Sequence, residues 1–374
     1  MMDITATARS EASGRLDRVI DAAIDGGGIV GTVVLVAEDG ELVYARTAGF
    51  ADREAGIPAR LDTIFRLASV TKPMVAAATL ALAEAGVLSL NDPVTRFLPD
   101  FRPKLADGSE AVITIRNLLT HTSGLIYGYP PEADISEGLD KPGRGMAENL
   151  AKIGAHPLAF APGSAWNYSV SIDVLGGLLE KAAGKSLPEI VADKVTGPLG
   201  MADTAFSVAD RSRLAKAYAD GTPPVVMAPF QVVARDDIAF GFAPDRILDP
   251  ASFPSGGAGM AGTAGDFLTF LEAIRKGGAP ILSDASLALL SSNALGDIDM
   301  GRPGVGFTHG WSIVLDPALA ETPASVGSWR WGGVYGHDWL VDPARRLTVI
   351  SFTNTAVEGC IGDYPKAITR AVYG

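Results

Sequence analysis

The chain has 374 residues, a formal net charge of −12, and 47% hydrophobic against 20% charged residues. That balance belongs to a folded globular chain and excludes disorder, and an acidic chain with no basic run excludes nucleic acid as a partner. A single cysteine, Cys360, excludes an internal disulfide and a cysteine-rich metal site, and the four histidines stand in no ligand spacing, so no metal is expected.

Leu16, Val19, Ile20, Ala23 and Ile24 recur at helical spacing and predict a first helix, stopped by Gly26-Gly27-Gly28. Two strands follow, Thr32 to Ala37 and Glu41 to Ala48, joined by the hairpin signal Asp39-Gly40. An Ala- and Leu-rich helix is expected from about Ser69 to Ala85. Residues 86–165 read as turns with short helical pieces, Ile115 to Leu119 among them. Val174, Leu175, Leu178, Leu179 and Ala182 give the next helix, closed by Gly184.

Gly221 to Gly262 is dense in Pro, Gly and Asp and reads as loops. Thr263 and Asp266 form a capping-box pattern ahead of Phe267, Phe270, Leu271 and Ile274. Strands are then expected at Gly310 to Leu315, Trp329 to Gly333, Trp339 to Asp342 and Leu347 to Thr353. Pro365 suits the first turn of a closing helix. Strands at both chain ends with helices between predict an α+β fold: one antiparallel sheet flanked by helices, from residues 1–72 and 255–374. A second, mostly helical domain would span 73–254, with a cleft at the seam. The longest apolar stretch, Met74 to Ala83, is too short to cross a membrane. With no signal-like N-terminus, a soluble cytoplasmic protein is expected.

The most informative element is Ser69-Val70-Thr71-Lys72. Three residues apart at a helix start, a hydroxyl and an amine project from one face. A serine needs a base to become a nucleophile, and a lysine serves only when uncharged. Burial and the positive end of a helix dipole both favour the uncharged amine. The competing role for Ser69 is as a simple helix cap. Two further elements stand out: Trp166-Asn167-Tyr168-Ser169-Val170, whose tyrosine could relay a proton, and Trp331-Gly332-Gly333-Val334-Tyr335-Gly336-His337, whose Trp and Gly-Gly could wall a pocket.

Taken in order, Ser69-x-x-Lys72, Tyr168-Ser169 and Trp331-Gly332-Gly333 resemble the serine β-lactamase and penicillin-binding-protein fold, specifically its esterase branch, the family VIII carboxylesterases. Leu118-Leu119-Thr120-His121-Thr122-Ser123-Gly124-Leu125 and Gly256-Gly257-Ala258-Gly259-Met260 support the resemblance. It implies Ser69 as nucleophile, Lys72 as its base and Tyr168 as the proton relay. It also implies an oxyanion hole from the backbone N–H groups of Ser69 and Val334, and no cofactor. Trp331, Gly332, Gly333, Tyr335, His337 and Val170 would line the substrate pocket.

Two departures from the lactamase pattern are chemically readable. Val170 stands where an asparagine would bind a lactam's side-chain amide, and Trp331 stands where a lysine would attract its carboxylate. Both favour a neutral, apolar ester over an anionic lactam. The implied activity is hydrolysis of short-chain esters through an acyl-enzyme. An acyltransferase, a weak lactamase or a D-aminopeptidase of the same fold is the alternative, and a non-catalytic scaffold the remote one. Oligomeric state is not legible.

Overall fold

Both ends of the chain supply one sheet. The computed structural model describes residues 4–235 and 238–374. Helix α1 (Ile4–Asp25) leads into β1 (Gly31–Glu38) and β2 (Glu41–Asp52), with β3 (Ile57–Pro58) at the edge. Asp39 and Gly40 both take positive φ, +55° and +89°, as a tight two-residue hairpin requires. After β4 (Phe65–Arg66) and a 3₁₀ turn, Ala68–Val70, come α2 (Thr71–Glu84), α3 (Ile115–Leu119), α4 (Met146–Gly154), α5 (Ser171–Ala183) and α6 (Leu187–Val191). Short strands β5 (Tyr218–Ala219) and β6 (Val225–Val226) pair, as do β7 (Gln231–Arg235) and β8 (Ile238–Phe242). Strand β9 (Ala261–Gly262) pairs back to β4.

The C-terminal part comprises α7 (Ala264–Arg275), α8 (Asp284–Leu290), β10 (Val305–Phe307), β11 (Ser312–Val314), β12 (Trp329–Gly333), β13 (His337–Asp342), β14 (Leu347–Thr353), α9 (Glu358–Ile361) and α10 (Asp363–Tyr373). The main sheet has eight strands in the order β10-β11-β12-β13-β14-β1-β2-β3. The first and last segments meet antiparallel, Thr32 opposite Thr353 and Val36 opposite Val349.

Alternation along β1 explains the layers. Val33 and Leu35 point to one face, where they join Trp339, Ile350, Phe352 and the α2 and α7 side chains. Val34 and Val36 point to the other, against Leu16 and Ile20 of α1 and Tyr364 and Ile368 of α10. A sheet covered on both faces reads as largely hydrophobic strands, and apart from Glu38 at the end of β1 the polar residues of β1 and β14 are small hydroxyl side chains, Thr32, Thr348, Ser351 and Thr353. Each fully buried large side chain, such as Phe352 or Trp339, contributes about 1.5–3 kcal/mol.

Helix α2 is buried on nearly every face. It packs on α5 and α6 and so ties the helical middle to the turn that precedes it. All eight strands of the main sheet come from residues 31–58 and 305–353, and α2 to α6 lie between them.

Three local expectations need correction. The stretch from Gly221 to Gly262 is not all loop: Gln231–Arg235 and Ile238–Phe242 form a hairpin, because two short apolar runs outweigh the surrounding Pro and Gly. The helix expected from Ser69 begins at Thr71, and Ser69 sits in the 3₁₀ turn before it. At α7, Thr263 caps the Asp266 N–H, but the Asp266 carboxylate accepts from Asp203 N and Thr204 Oγ1, so the reciprocal half of the box is not made.

Candidate active site

The turn that carries Ser69 is held from both sides. Leu67 N donates to Met260 O at 2.9 Å, and Met260 N donates to Thr71 Oγ1 at 3.1 Å. Arg66, just upstream, is fixed by Ala215 O and Pro244 O, each 2.6 Å away. Between these anchors Ala68 takes φ +46°, a left-handed conformation that costs a non-glycine residue about 1–2 kcal/mol. Ser69 follows with its side chain making no helix-cap hydrogen bond, so the simple capping role does not apply. Ser69 remains partly exposed, whereas Lys72 beneath it is only 2% exposed.

Lys72 Nζ makes three hydrogen bonds: to Ser69 Oγ at 3.1 Å, to Tyr127 OH at 3.1 Å and to Gly257 O at 2.8 Å. The three N–H groups of an ammonium would fill this set, and an uncharged amine, with two N–H groups and one lone pair, fills it with the lone pair turned to a hydroxyl. The carbonyl of Gly257 can only accept. If Tyr127 OH accepts the second N–H, the lone pair is left for the Ser69 hydroxyl proton. The amine also lies 4.6 Å from the ring centre of Tyr168 and 5.5 Å from that of Tyr127. Gly257 is required where it stands: a Cβ there would come within 2.6 Å of Asp173 Oδ2 and 3.3 Å of Tyr127 OH.

Tyr168 therefore meets Lys72 through its ring face. Its hydroxyl accepts from Trp331 Nε1 at 3.3 Å. His121 braces the tyrosine from behind, with ring centres 4.7 Å apart. His121 Nδ1 accepts from Ser169 N at 3.2 Å, so that nitrogen carries no proton. Burial first, and then the nearby Lys72, hold this imidazole well below its usual range. Trp166, Phe307 and Trp331 pack tilted and edge-on into an aromatic wall beside Tyr168, with neighbouring ring centres 5.0–5.6 Å apart.

On the opposite side β12 presses on the Ser69 turn. A Cβ on Gly333 would lie 2.3 Å from Leu67 O, so only glycine allows this approach, which brings Val334 into the apolar cluster of Ala68. Gly332 is equally close-packed, against His337 O and Cys360 Sγ.

Other pocket expectations are not met. His337 is fully buried between Phe65 and Phe352, donates Nε2–H to Arg66 O at 2.7 Å and is pushed down to about 4 by burial. It supports the backbone ahead of Ser69 and does not line the cleft. Val170 is also fully buried, in the core at the start of α5. Tyr335 packs on Phe242 at 4.9 Å and borders a separate small cleft with Arg66, Leu139 and Arg246. Trp331, Gly332 and Val334 remain partly exposed at the site.

Sequence reasoning missed Tyr127. It lies in the irregular segment after Gly124, in no motif, and only the fold brings its hydroxyl to Lys72. Asp173, in the first turn of α5, was likewise unmarked. Among the described residues no cluster of three or more His, Cys, Asp or Glu could hold a metal ion, and no helix is long and apolar enough to cross a membrane.

The geometry agrees with what the chain is similar to. Residues 16–367 match the family model described as Beta-lactamase. The chain is 46% identical to Esterase EstB of Burkholderia gladioli, across 100% of this chain and 98% of that one. The solved structure of EstCE1, described as a hydrolase with promiscuous acyltransferase activity, superposes with a TM-score of 0.94 at 40% identity, covering 98% of this chain and 100% of that one. Unliganded simvastatin synthase (LovD) from Aspergillus terreus shares the fold, with a TM-score of 0.74 at 24% identity, over 97% of this chain and 98% of that one. The chain belongs to the beta-lactamase family of serine hydrolases.

Proposed function

We propose that the protein hydrolyses short-chain carboxylic esters through an acyl-enzyme on Ser69. The observation that carries this reading is a lysine amine, 2% exposed, held 3.1 Å from a partly exposed serine hydroxyl. Lys72 takes the Ser69 proton as Oγ attacks the ester carbonyl. The oxyanion rests on the N–H groups of Ser69 and Val334. Tyr168 and Tyr127 flank the amine; Tyr168, whose hydroxyl accepts from the Trp331 indole N–H, gives its proton to the departing alcohol and takes one back from the Lys72 ammonium, so both groups are restored for deacylation. Water then enters by the same route and releases the acid.

The aromatic wall of Trp166, Phe307 and Trp331 suits a neutral apolar substrate, and the 46% identity to an esterase supports the same class. The test is turnover of a chromogenic butyrate ester by wild type and Ser69→Ala. Loss of turnover in the alanine protein is expected, and near-normal turnover would overturn the nucleophile assignment. An acyl-length series run beside a cephalosporin defines the substrate class, with short esters preferred and the lactam poor.

A second reading, acyl transfer to an alcohol, has support in the likeness to EstCE1 and in the apolar aromatic wall. Added alcohol would then yield a new ester in proportion to its concentration. Free acid as the sole product would exclude transfer.

A further inference from the structure

Asp173 is a buried carboxylate that the proposed chemistry leaves unused. It is 1% exposed, on the first turn of α5. Its Oδ1 accepts from Ser255 Oγ at 2.5 Å and from Gly257 N at 3.2 Å. Ser255 Oγ in turn accepts from Ala258 N at 2.9 Å. That N–H belongs to the same peptide unit as Gly257 O, which accepts from Lys72 Nζ at 2.8 Å. An unbroken hydrogen-bonded line thus runs from Asp173 Oδ1 through the Ser255 hydroxyl and the Gly257–Ala258 peptide to Lys72. Every bond in it points the same way, and aligned bonds of this kind polarise one another in a low-dielectric interior.

We propose that Asp173 is a positioning residue for Lys72, acting through Ser255 and the Gly257–Ala258 peptide to fix the amine and favour its protonated form during the reaction. This rests on the reading of Ser69 and Lys72 given above. Burial pushes the Asp173 carboxyl above its usual range, while the hydrogen bonds from Ser255 Oγ and Gly257 N and the nearby Lys72 favour the carboxylate. Its negative charge sharpens the Gly257 carbonyl as an acceptor. When Ser69 hands its proton to Lys72, the new ammonium forms at the positive end of this line, where that charge stabilises it. The other charged or titratable groups around the pair are Tyr127, Tyr168 and His121 beside Lys72, and Arg246, Glu137 and Tyr127 near Asp173.

The experiment is the pH profile of kcat/KM on a chromogenic butyrate ester for wild type, Asp173→Asn, Ser255→Ala and Ser69→Ala. Removing the anion makes the Ser69–Lys72–Tyr cluster give up its proton more readily, so the acid limb of Asp173→Asn moves to lower pH, by about one unit. Its plateau kcat falls about tenfold with KM nearly unchanged, because the ammonium formed in the transition state has lost its support. Ser255→Ala breaks the line without touching the charge and moves the limb the same way by less, which decides the matter even if Asp173→Asn folds poorly. Lower plateaus with unshifted limbs in both variants would mean that Asp173 is merely structural, and would overturn the proposal. Ser69→Ala separates the two levels. If it is inactive while the limbs stay put, only the Asp173 assignment fails; if it turns over normally, both readings fall.

Discussion

The hydroxyl of Tyr168 accepts a hydrogen bond from the indole N–H of Trp331 at 3.3 Å, while its ring, not its hydroxyl, faces the amine of Lys72. The tryptophan is thus both a wall of the cleft and a donor to the group expected to move a proton. Trp331→Phe keeps the wall and removes the donor. We expect kcat on a butyrate ester to fall about tenfold with little change in KM, the size of one hydrogen bond to a charged form. Trp331→Ala should raise KM as well. Steady-state kinetics on both variants checks this, and equal KM effects would contradict the split.

Tyr127 is the tyrosine whose hydroxyl contacts Lys72 directly, at 3.1 Å. Desolvation, followed by Tyr168, Asp173 and Glu137, pushes its phenol up, so it stays protonated and serves as a neutral hydrogen-bond partner. Tyr127→Phe should cost about 10²-fold in kcat, and Tyr168→Phe a comparable factor, within the range of general acid–base groups. Single-turnover acylation rates distinguish them from slow product release. Full activity in Tyr168→Phe would transfer the relay role to Tyr127.

Gly333 lets β12 lie against the nucleophile turn. A Cβ would meet Leu67 O at 2.3 Å, a backbone atom that cannot swing aside. Gly333→Ala should push Val334 away from Ser69 and lower kcat by about 10²-fold, the loss seen when one oxyanion donor is removed. The variant should also unfold at lower temperature. Wild-type kcat in Gly333→Ala would contradict the role given to the Val334 N–H.

Two of the buried histidines make stability fall in acid. His309 accepts from Arg116 on Nε2 at 2.8 Å and donates Nδ1–H to Leu289 O, and His337 donates to Arg66 O. Burial brings both down to about 4 from 6.5. They are neutral in the folded chain and become protonated on unfolding below pH 6.5. Their contribution is therefore intact above pH 6.5 and declines as pH falls toward 4, by at most about 1.4 kcal/mol per pH unit for each. Calorimetry between pH 7.5 and 4.5 should show Tm falling across that window. A flat Tm would contradict neutral burial.

Much of this architecture was legible before the structure. The hydrophobic runs of β1 and β14 are strong because both faces are covered, and Ile115–Leu119 and Trp329–Gly333 fall where periodicity puts them. Ser69 and Lys72 were legible because one helical turn couples them locally. Tyr127 was not, since its approach to Lys72 depends on a loop path fixed only by tertiary contacts. Asp173 was hidden for a similar reason: its partners, Ser255 and Gly257, lie more than 80 residues away. His337 misled in the opposite direction. Proximity in sequence to Trp331-Gly332-Gly333 suggested substrate contact, but the β12–β13 register turns its ring inward, opposite Phe352.

The central claim is that Ser69 carries the acyl group. Acid quenching during turnover of p-nitrophenyl butyrate, followed by peptide mass mapping, tests it most directly. The account predicts a butyryl group on the peptide containing Ser69, absent from Ser69→Ala. A butyryl group on any other residue, or steady turnover with Ser69 unmodified, would contradict it.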